Sequence, residues 1–416
     1  MIHSVKGTRD ILPPASAVWN QVETAARRIL RRFNYQEIRT PILEETALFA
    51  RSVGEETDIV SKEMYTFEDR DGSSLTMRPE NTASVIRAYI EHRLDQEPGL
   101  QKLYYIGPMF RRERPQKGRY RQFFQIGAEA IGSDSPAIDA EVIEMAVAIL
   151  KEVGIGGFEL LINSVGSKES RARYNEALRA ELKEVAPSMC ADCRKRAETN
   201  PLRVLDCKVP EDQPVIEKLP SILDYLDEVD REHFRRVREF LDDRNIKYSV
   251  RPRLVRGLDY YARTTFEITH GALGAQNALL GGGRYDGLAE SLGSKIAAPG
   301  IGFSIGQDRL VMAVEEAKAV QPLRLDLYIA PMGDAALRHC ALLAGEIREL
   351  ELSVEVGTER KLKRMMELAN KLSARHTLIV GDNEIVTQSY TLKEMSSGEQ
   401  VTLTRQQLFE RLGGKR

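Results

Sequence analysis

Apolar residues recur at three- and four-residue intervals through Val18, Val22, Ala26, Ile29 and Phe33, directly after the Pro13-Pro14 stop, and this period predicts an amphipathic helix from Ser16. The pattern then shortens. In YQEIRTPILEE an apolar strand is broken by Pro41, which has no N–H to give to a ladder and so favours a sheet edge or a contact between chains. MYTFEDRDGSSLTMRPE alternates around Asp71-Gly72 as a hairpin does. Two apolar runs, LYYIGPMF and FFQIGAEAIG, predict buried strands joined by a loop. Ser135-Pro136, a capping residue followed by proline in the first turn, opens a helix ending near Gly154.

From about Ser167 to Asp230 strand alternation gives way to charge-rich helical sequence containing MCADC and LDC, an expected insertion over 167–230. Strand-like segments resume in IKYSVRPRLVRGLDYYARTTFEITH and in the glycine-dense ALLGGGRYDG. PGIGFSIGQDRLVMAVEEA then runs from strand into helix. After a short connection at Ala317 to Arg324, LDLYIAP, a helix, LSVEVG, a helix with Leu362, Met366, Ala369 and Leu372 on one face, and HTLIVG alternate as in a compact α/β domain. The expected domains are 1–320, carrying the insertion, and 324–416.

Length and composition agree with this division, since 416 residues exceed one ordinary core. An apolar content of 42% with 29% charge is that of a soluble globular chain. MIHSVKGTRDILPP lacks an apolar stretch of signal-peptide length and no apolar run approaches about 18 residues, so a cytoplasmic protein without a membrane partner is expected. Four cysteines in a chain this long do not make a disulfide framework.

Charge is the most informative departure from the average. Arg111, Arg112, Arg114, Lys117, Arg119 and Arg121 stand against Glu113 alone, +5 in eleven residues of a chain whose net charge is −2. A solvated face mixes signs, whereas this loop mixes arginine with glycine and aromatics between buried strands. Fixed guanidinium groups in that setting suit phosphates.

Phe110 to Glu113, with Arg119 and Phe123, resembles motif 2 of the class II aminoacyl-tRNA synthetases. The helix and proline-broken strand of residues 16–44 resemble motif 1, and Gly300 to Gly306 with Arg309 resembles motif 3, with Asp308 where glutamate is usual. KGTRDILPP, RPENTA, RPQKGRYRQF, LVRGLDYYARTTFEI and GGGRYDGL resemble segments of histidyl-tRNA synthetases, so the likeness covers essentially the whole chain. It implies an α+β protein: a class II antiparallel-sheet catalytic domain with a helical insertion, and a C-terminal α/β anticodon-binding domain, in a homodimer.

The resemblance implies ATP and Mg²⁺ as cofactors, L-histidine and tRNA(His) as partners, and a histidyl-adenylate intermediate. By matching position, Arg256 and Arg111 neutralise the α-phosphate. Arg119 and Arg309 hold the terminal phosphates, and Glu113 and Phe123 hold adenine. Glu80, Thr82 and Gln125 match positions for the substrate amine, and Glu129 and Tyr261 those for the imidazole, with Tyr260 beside them. A carboxylate and a phenol can satisfy both ring nitrogens in a defined protonation state. Glu80 after Pro79 also suits a helix first turn, and both roles can coexist. Adjacent strand residues normally face opposite ways, so at least one of Tyr260 and Tyr261 is expected in the site. Arg114, Gln116 and Arg121 are candidate contacts to the tRNA acceptor end, by phosphate or base edge.

Cys190, Cys193 and Cys207 resemble half a zinc knuckle, but structural zinc takes four ligands. His233 is the candidate fourth, and nothing in the sequence places it nearby. They are therefore expected to be small buried thiols or the remnant of a degenerate site, with no metal bound. The rival within the same likeness is the catalytically inactive synthetase-like regulatory subunit of ATP phosphoribosyltransferase. Such paralogues generally lack the C-terminal domain, and here the phosphate arginines are all retained. A nonspecific RNA-binding protein would leave the imidazole-fitting residues unexplained.

Overall fold

The computed structural model describes residues 2–54, 57–271, 277–317 and 324–414. Two compact units emerge, residues 1–320 and 321–416. The connection expected at Ala317 to Arg324 lies, except for its two ends, outside the described residues.

An eight-stranded sheet organises the first unit, in the order Gln36–Glu37, Gln101–Phe110, Gln122–Ile131, Gly300–Gly306, Ala278–Arg284, Ala262–His270, Phe158–Ser164, Ser249–Val250. The inner pairings are antiparallel and only the two outermost are parallel. Pro41 lies where the chain leaves the edge strand of this sheet for Leu43–Glu45, the edge of a three-stranded sheet. The hairpin around Asp71-Gly72 supplies that sheet's other strands, Tyr65–Glu68 and Ser74–Met77, with Gly72 at φ 86°.

Period-two alternation separates two faces of the large sheet. Ile126, Ala128 and Ala130 face a core shared with helices Ala15–Arg32, Pro136–Glu152 and Glu228–Asp243. Gln125, Gly127 and Glu129 therefore face the other way, toward helix Thr82–Glu91. The first helix buries Trp19, Val22, Ala25, Ala26, Ile29 and Leu30, a wider stripe than the sequence suggested. Ser135 accepts from the Ala137 N–H at 3.4 Å, with Pro136 in the first turn, as expected of a cap.

Residues 251–261 depart from the expected strand. Pairing ends at Val250 and resumes at Ala262, and the segment between turns irregularly. Residues 168–225 are helical, built from Lys168–Val185, Ala191–Thr199, Gln213–Ile216 and short 3-10 turns around an apolar cluster that also takes in Val165 and Tyr261. In the second unit, parallel strands Leu327–Pro331, Val354–Val356 and His376–Val380 are extended by antiparallel Ser389–Glu394 and Gln400–Thr404. Helix Leu362–Lys371 buries Met365 and Ala369. The expected face through Met366 and Leu372 is thus rotated by one residue, and Leu372 is 40% exposed.

Candidate active site

The polar face of the large sheet and helix Thr82–Glu91 border a cavity of ≈ 230 Å³ lined by carboxylates, phenols and four arginines. Glu129 is its centre. Thr82 Oγ1 donates to Glu129 Oε1 at 2.8 Å and Tyr285 Oη donates to Oε2 at 2.7 Å. Burial pushes the carboxyl up to about 8, against the pull of both hydroxyl donors, and neighbouring Glu80 adds to the rise. Space for it comes from Gly302, its pairing partner on the next strand, where a β-carbon would collide with Oε2.

Glu80 accepts from the Thr82 and Ala83 N–H groups at 2.7 and 3.0 Å, so it anchors the start of the helix while also lining the cavity. Burial raises its pKa above the usual carboxylate value. The buried Gln125 Oε1 has no hydrogen-bond partner among the described residues, an acceptor open to a cationic amine. Tyr260 and Tyr261 both line the cavity, with ring centroids 4.8 Å apart, because their segment is not a strand and strand alternation does not apply.

Arg111, Arg119, Arg256 and Arg309 converge on the same cavity from three stretches of chain. Arg111 donates to the Pro79 carbonyl at 2.9 Å and lies over the Phe123 ring, 5.2 Å from its centroid. Glu113 forms an ion pair with Arg119 and a longer one, 3.8 Å, with Arg111. Arg309 Nη1 donates to the Ala278 carbonyl at 3.0 Å, and burial with nearby Arg119 lowers its pKa. Arg256 crosses the face of Gly281, where any β-carbon would strike its guanidinium, and pairs with Glu267. Burial alone would lower the Arg256 pKa, but Glu267, Tyr261 and Asp206 raise it.

Twelve sequence-selected residues, Glu80, Thr82, Arg111, Glu113, Arg119, Phe123, Gln125, Glu129, Arg256, Tyr260, Tyr261 and Arg309, thus share one cavity. The acceptor-end candidates do not. Arg114 and Gln116 are exposed on the hairpin outside it. Arg121 turns toward the N-terminal segment, donating to the carbonyls of Glu113 and Lys6 at 3.4 and 3.3 Å.

Three participants were not singled out from sequence. Tyr285 lies in the quoted GGGRYDGL without an assigned role, Glu267 is the only acid in ARTTFEITH, and Arg9 reaches Asp308. Asp308 Oδ1 accepts from Arg9 at 2.8 Å and Oδ2 from the Phe124 N–H at 2.9 Å, which makes it a brace between the N-terminal segment and the central strand. His233 is not beside the cysteines: its Nε2 lies 3.6 Å from Asp139, against the large sheet's helices.

Over residues 7–310 the sequence matches the family model described as histidyl-tRNA synthetase. The chain belongs to the histidyl-tRNA synthetase family. Residues 326–415 match the model of an anticodon binding domain. The chain is 70% identical to the histidine–tRNA ligase of Solibacter usitatus, covering 99% of both chains. It is 57% identical to that of Koribacter versatilis, covering 98% of this chain and 95% of the relative. The crystal structure of apo histidyl-tRNA synthetase from S. aureus superposes with a TM-score of 0.82 at 39% identity, covering 99% of this chain and all of that one. The fold is the α+β class expected: an antiparallel-sheet core followed by a separate C-terminal anticodon-binding domain.

Proposed function

We infer that this protein ligates L-histidine to tRNA(His) in two steps through histidyl-adenylate. The observation that carries the reading is the adjacency, in one cavity, of a buried carboxylate–phenol pair and four arginines. Glu129 and Tyr261 would bind the imidazole, with Tyr260 beside them and Tyr285 fixing the Glu129 carboxyl. Glu80, Thr82 and Gln125 would receive the amine. Such a set discriminates strongly, because an analogue lacking either ring nitrogen leaves buried polar groups unpaired.

The substrate carboxylate is ionised at neutral pH, so the first step needs alignment and charge neutralisation rather than a base. Its oxygen attacks the α-phosphorus of ATP and pyrophosphate leaves. Arg256 and Arg111 act as catalytic residues on the charge that develops at the equatorial oxygens. Arg119 and Arg309 bind the terminal phosphates, and Glu113 and Phe123 bind adenine. Every carboxylate lining the cavity, Glu80, Glu113, Glu129 and Asp308, is already engaged by protein donors. That fits Mg²⁺ arriving with the triphosphate, whose charge it neutralises, rather than a preformed cage. In the second step the terminal ribose hydroxyl of tRNA attacks the aminoacyl carbonyl and AMP leaves. Arg114 and Gln116, both exposed, would meet the acceptor end, while Arg121 holds the N-terminal segment against the loop.

We read residues 1–320 as the catalytic domain, with its insertion at 167–230, and 324–416 as the anticodon reader. The chain would work in the cytoplasm as a homodimer, pairing near Pro41 at the sheet edges. No helix among the described residues is long and apolar enough to cross a membrane. Pyrophosphate exchange into ATP with each of the twenty amino acids tests the reading: only histidine should support it. Histidine binding without exchange would favour the regulatory-subunit reading instead.

A further inference from the structure

The insertion carries a second cluster of reactive side chains, one that ligation does not use. Cys190 precedes helix Ala191–Thr199 and Cys193 lies in its first turn, while Cys207 follows the 3-10 segment Pro201–Asp206 and Asp212 ends the turn Pro210–Asp212. The chain doubles back so that three Sγ atoms and one carboxylate oxygen all lie within 4.8 Å of one another. Cys190 and Cys207 Sγ are 4.0 Å apart, and Cys207 Sγ is 3.3 Å from Asp212 Oδ2. All the cysteines are free thiols, and Cys193, Cys207 and Asp212 are buried at 0%, 6% and 3% exposure.

Zinc–sulfur bonds of about 2.3 Å and zinc–oxygen bonds of about 2.1 Å put tetrahedral ligands roughly 3.6–3.8 Å apart. The four side chains already stand near those corners. Their surroundings are those of a held ligand set: the Cys193 N–H donates to Cys190 Sγ and the Val209 N–H to Cys207 Sγ, each at 3.4 Å, and Asp212 Oδ1 accepts from the Cys190 N–H at 3.1 Å. We propose that Cys190, Cys193, Cys207 and Asp212 bind one structural Zn²⁺ in a closed tetrahedral site.

The stretch this ion would pin reaches the ligation site. Asn200 Nδ2 donates to Asp259 at 3.4 Å, and Arg203 donates to the Gly257 carbonyl. Both receivers belong to the irregular segment that presents Arg256, Tyr260 and Tyr261 and has no ladder to hold it. The ion therefore has a positioning role toward histidine, a consequence that rests on the ligation reading, whereas the metal site itself does not.

The test uses the full-length protein, purified without a polyhistidine tag and dialysed against metal-free buffer. Elemental analysis is expected to find about one zinc per chain. Chelator-stripped wild-type protein titrated with Co²⁺ should develop thiolate-to-cobalt charge transfer in the near ultraviolet and the intense visible bands of a tetrahedral site. Asp212→Asn, which keeps all the sulfurs, should bind Co²⁺ at least about tenfold more weakly with unchanged circular dichroism. Stripping zinc should raise the KM for histidine about tenfold and leave that for ATP nearly unchanged. A wild-type chain that takes up neither zinc nor cobalt while its thiols stay titratable, or one with Cys190 and Cys207 joined in a disulfide, overturns the site. An unchanged histidine KM in stripped protein overturns the positioning role alone.

Discussion

Gly302 pairs with Glu129 across neighbouring strands, and only a hydrogen at position 302 leaves the Glu129 carboxylate its place. The substitution Gly302→Ala would push that carboxylate off Thr82 and Tyr285. Losing two buried hydrogen bonds, each of about 0.5–1.5 kcal/mol, predicts a histidine KM raised about 10- to 100-fold with little change for ATP. Steady-state exchange kinetics varying each substrate separates the two. Equal loss of both affinities would mean that the sheet, not the imidazole end, was disturbed.

Arg256→Ala is expected to lower pyrophosphate exchange by about 10²–10³-fold, the scale of removing one preorganised transition-state partner. Calorimetric binding of histidine should persist. The change also strands Glu267 without its cation, so the Arg256→Ala, Glu267→Gln pair should recover thermal stability but not exchange. Exchange restored by the second change would assign Arg256 a structural role only.

The Glu129 carboxyl, at about 8 instead of 4.5, keeps a proton in the folded protein that the unfolded chain releases. Folding stability from this group is therefore greatest below pH 4.5 and falls as pH rises toward about 8. Glu129→Gln removes the effect, so the variant's Tm should gain on wild type across that window and the gap should level off above it. Glu80, raised in the same direction, remains in both proteins and leaves a common slope. Scanning calorimetry from about pH 5 to pH 9 measures this; a gap independent of pH would place the ordinary carboxylate pKa at Glu129.

Asp308→Ala leaves the Phe124 N–H without its partner and frees Arg9, which otherwise stacks 4.2 Å from the Tyr120 ring centroid. A stability loss of about 1–3 kcal/mol is expected in urea titration. The KM for ATP should rise more than that for histidine, because the loosened strand end carries Phe123. The milder Asp308→Glu should retain most of both.

What could be read from the chain in advance was what is written locally. A charge excess in eleven residues, a glycine-alternating strand and a proline-broken strand are each visible in a short window. So were the hairpin at Gly72 and the cap at Ser135. Tyr285 escaped notice as a site residue because its partner is 156 positions away and their meeting depends on register across intervening strands. Strand alternation sets Tyr260 and Tyr261 on opposite faces, and it fails where no ladder exists. Nothing in the sequence places His233 near the cysteines, and the carboxylate of Asp212 reaches them only through the turns between residues 201 and 212. Arg121 carried the charge expected of a ligand contact, yet its guanidinium is taken up by backbone carbonyls.

The central strand Gln122–Ile131 lies between a neighbour made just before it, Gln101–Phe110, and one made far later, Gly300–Gly306. On a ribosome the first pairing can form early, but Glu129 waits for Gly302 and Tyr285 until some 170 further residues have been added, as the register Gly302↔Glu129 requires. A nascent chain halted before residue 300 can thus display the arginine loop while the pocket around Glu129 is still unfinished, so that pocket is completed only near the end of the first unit's synthesis.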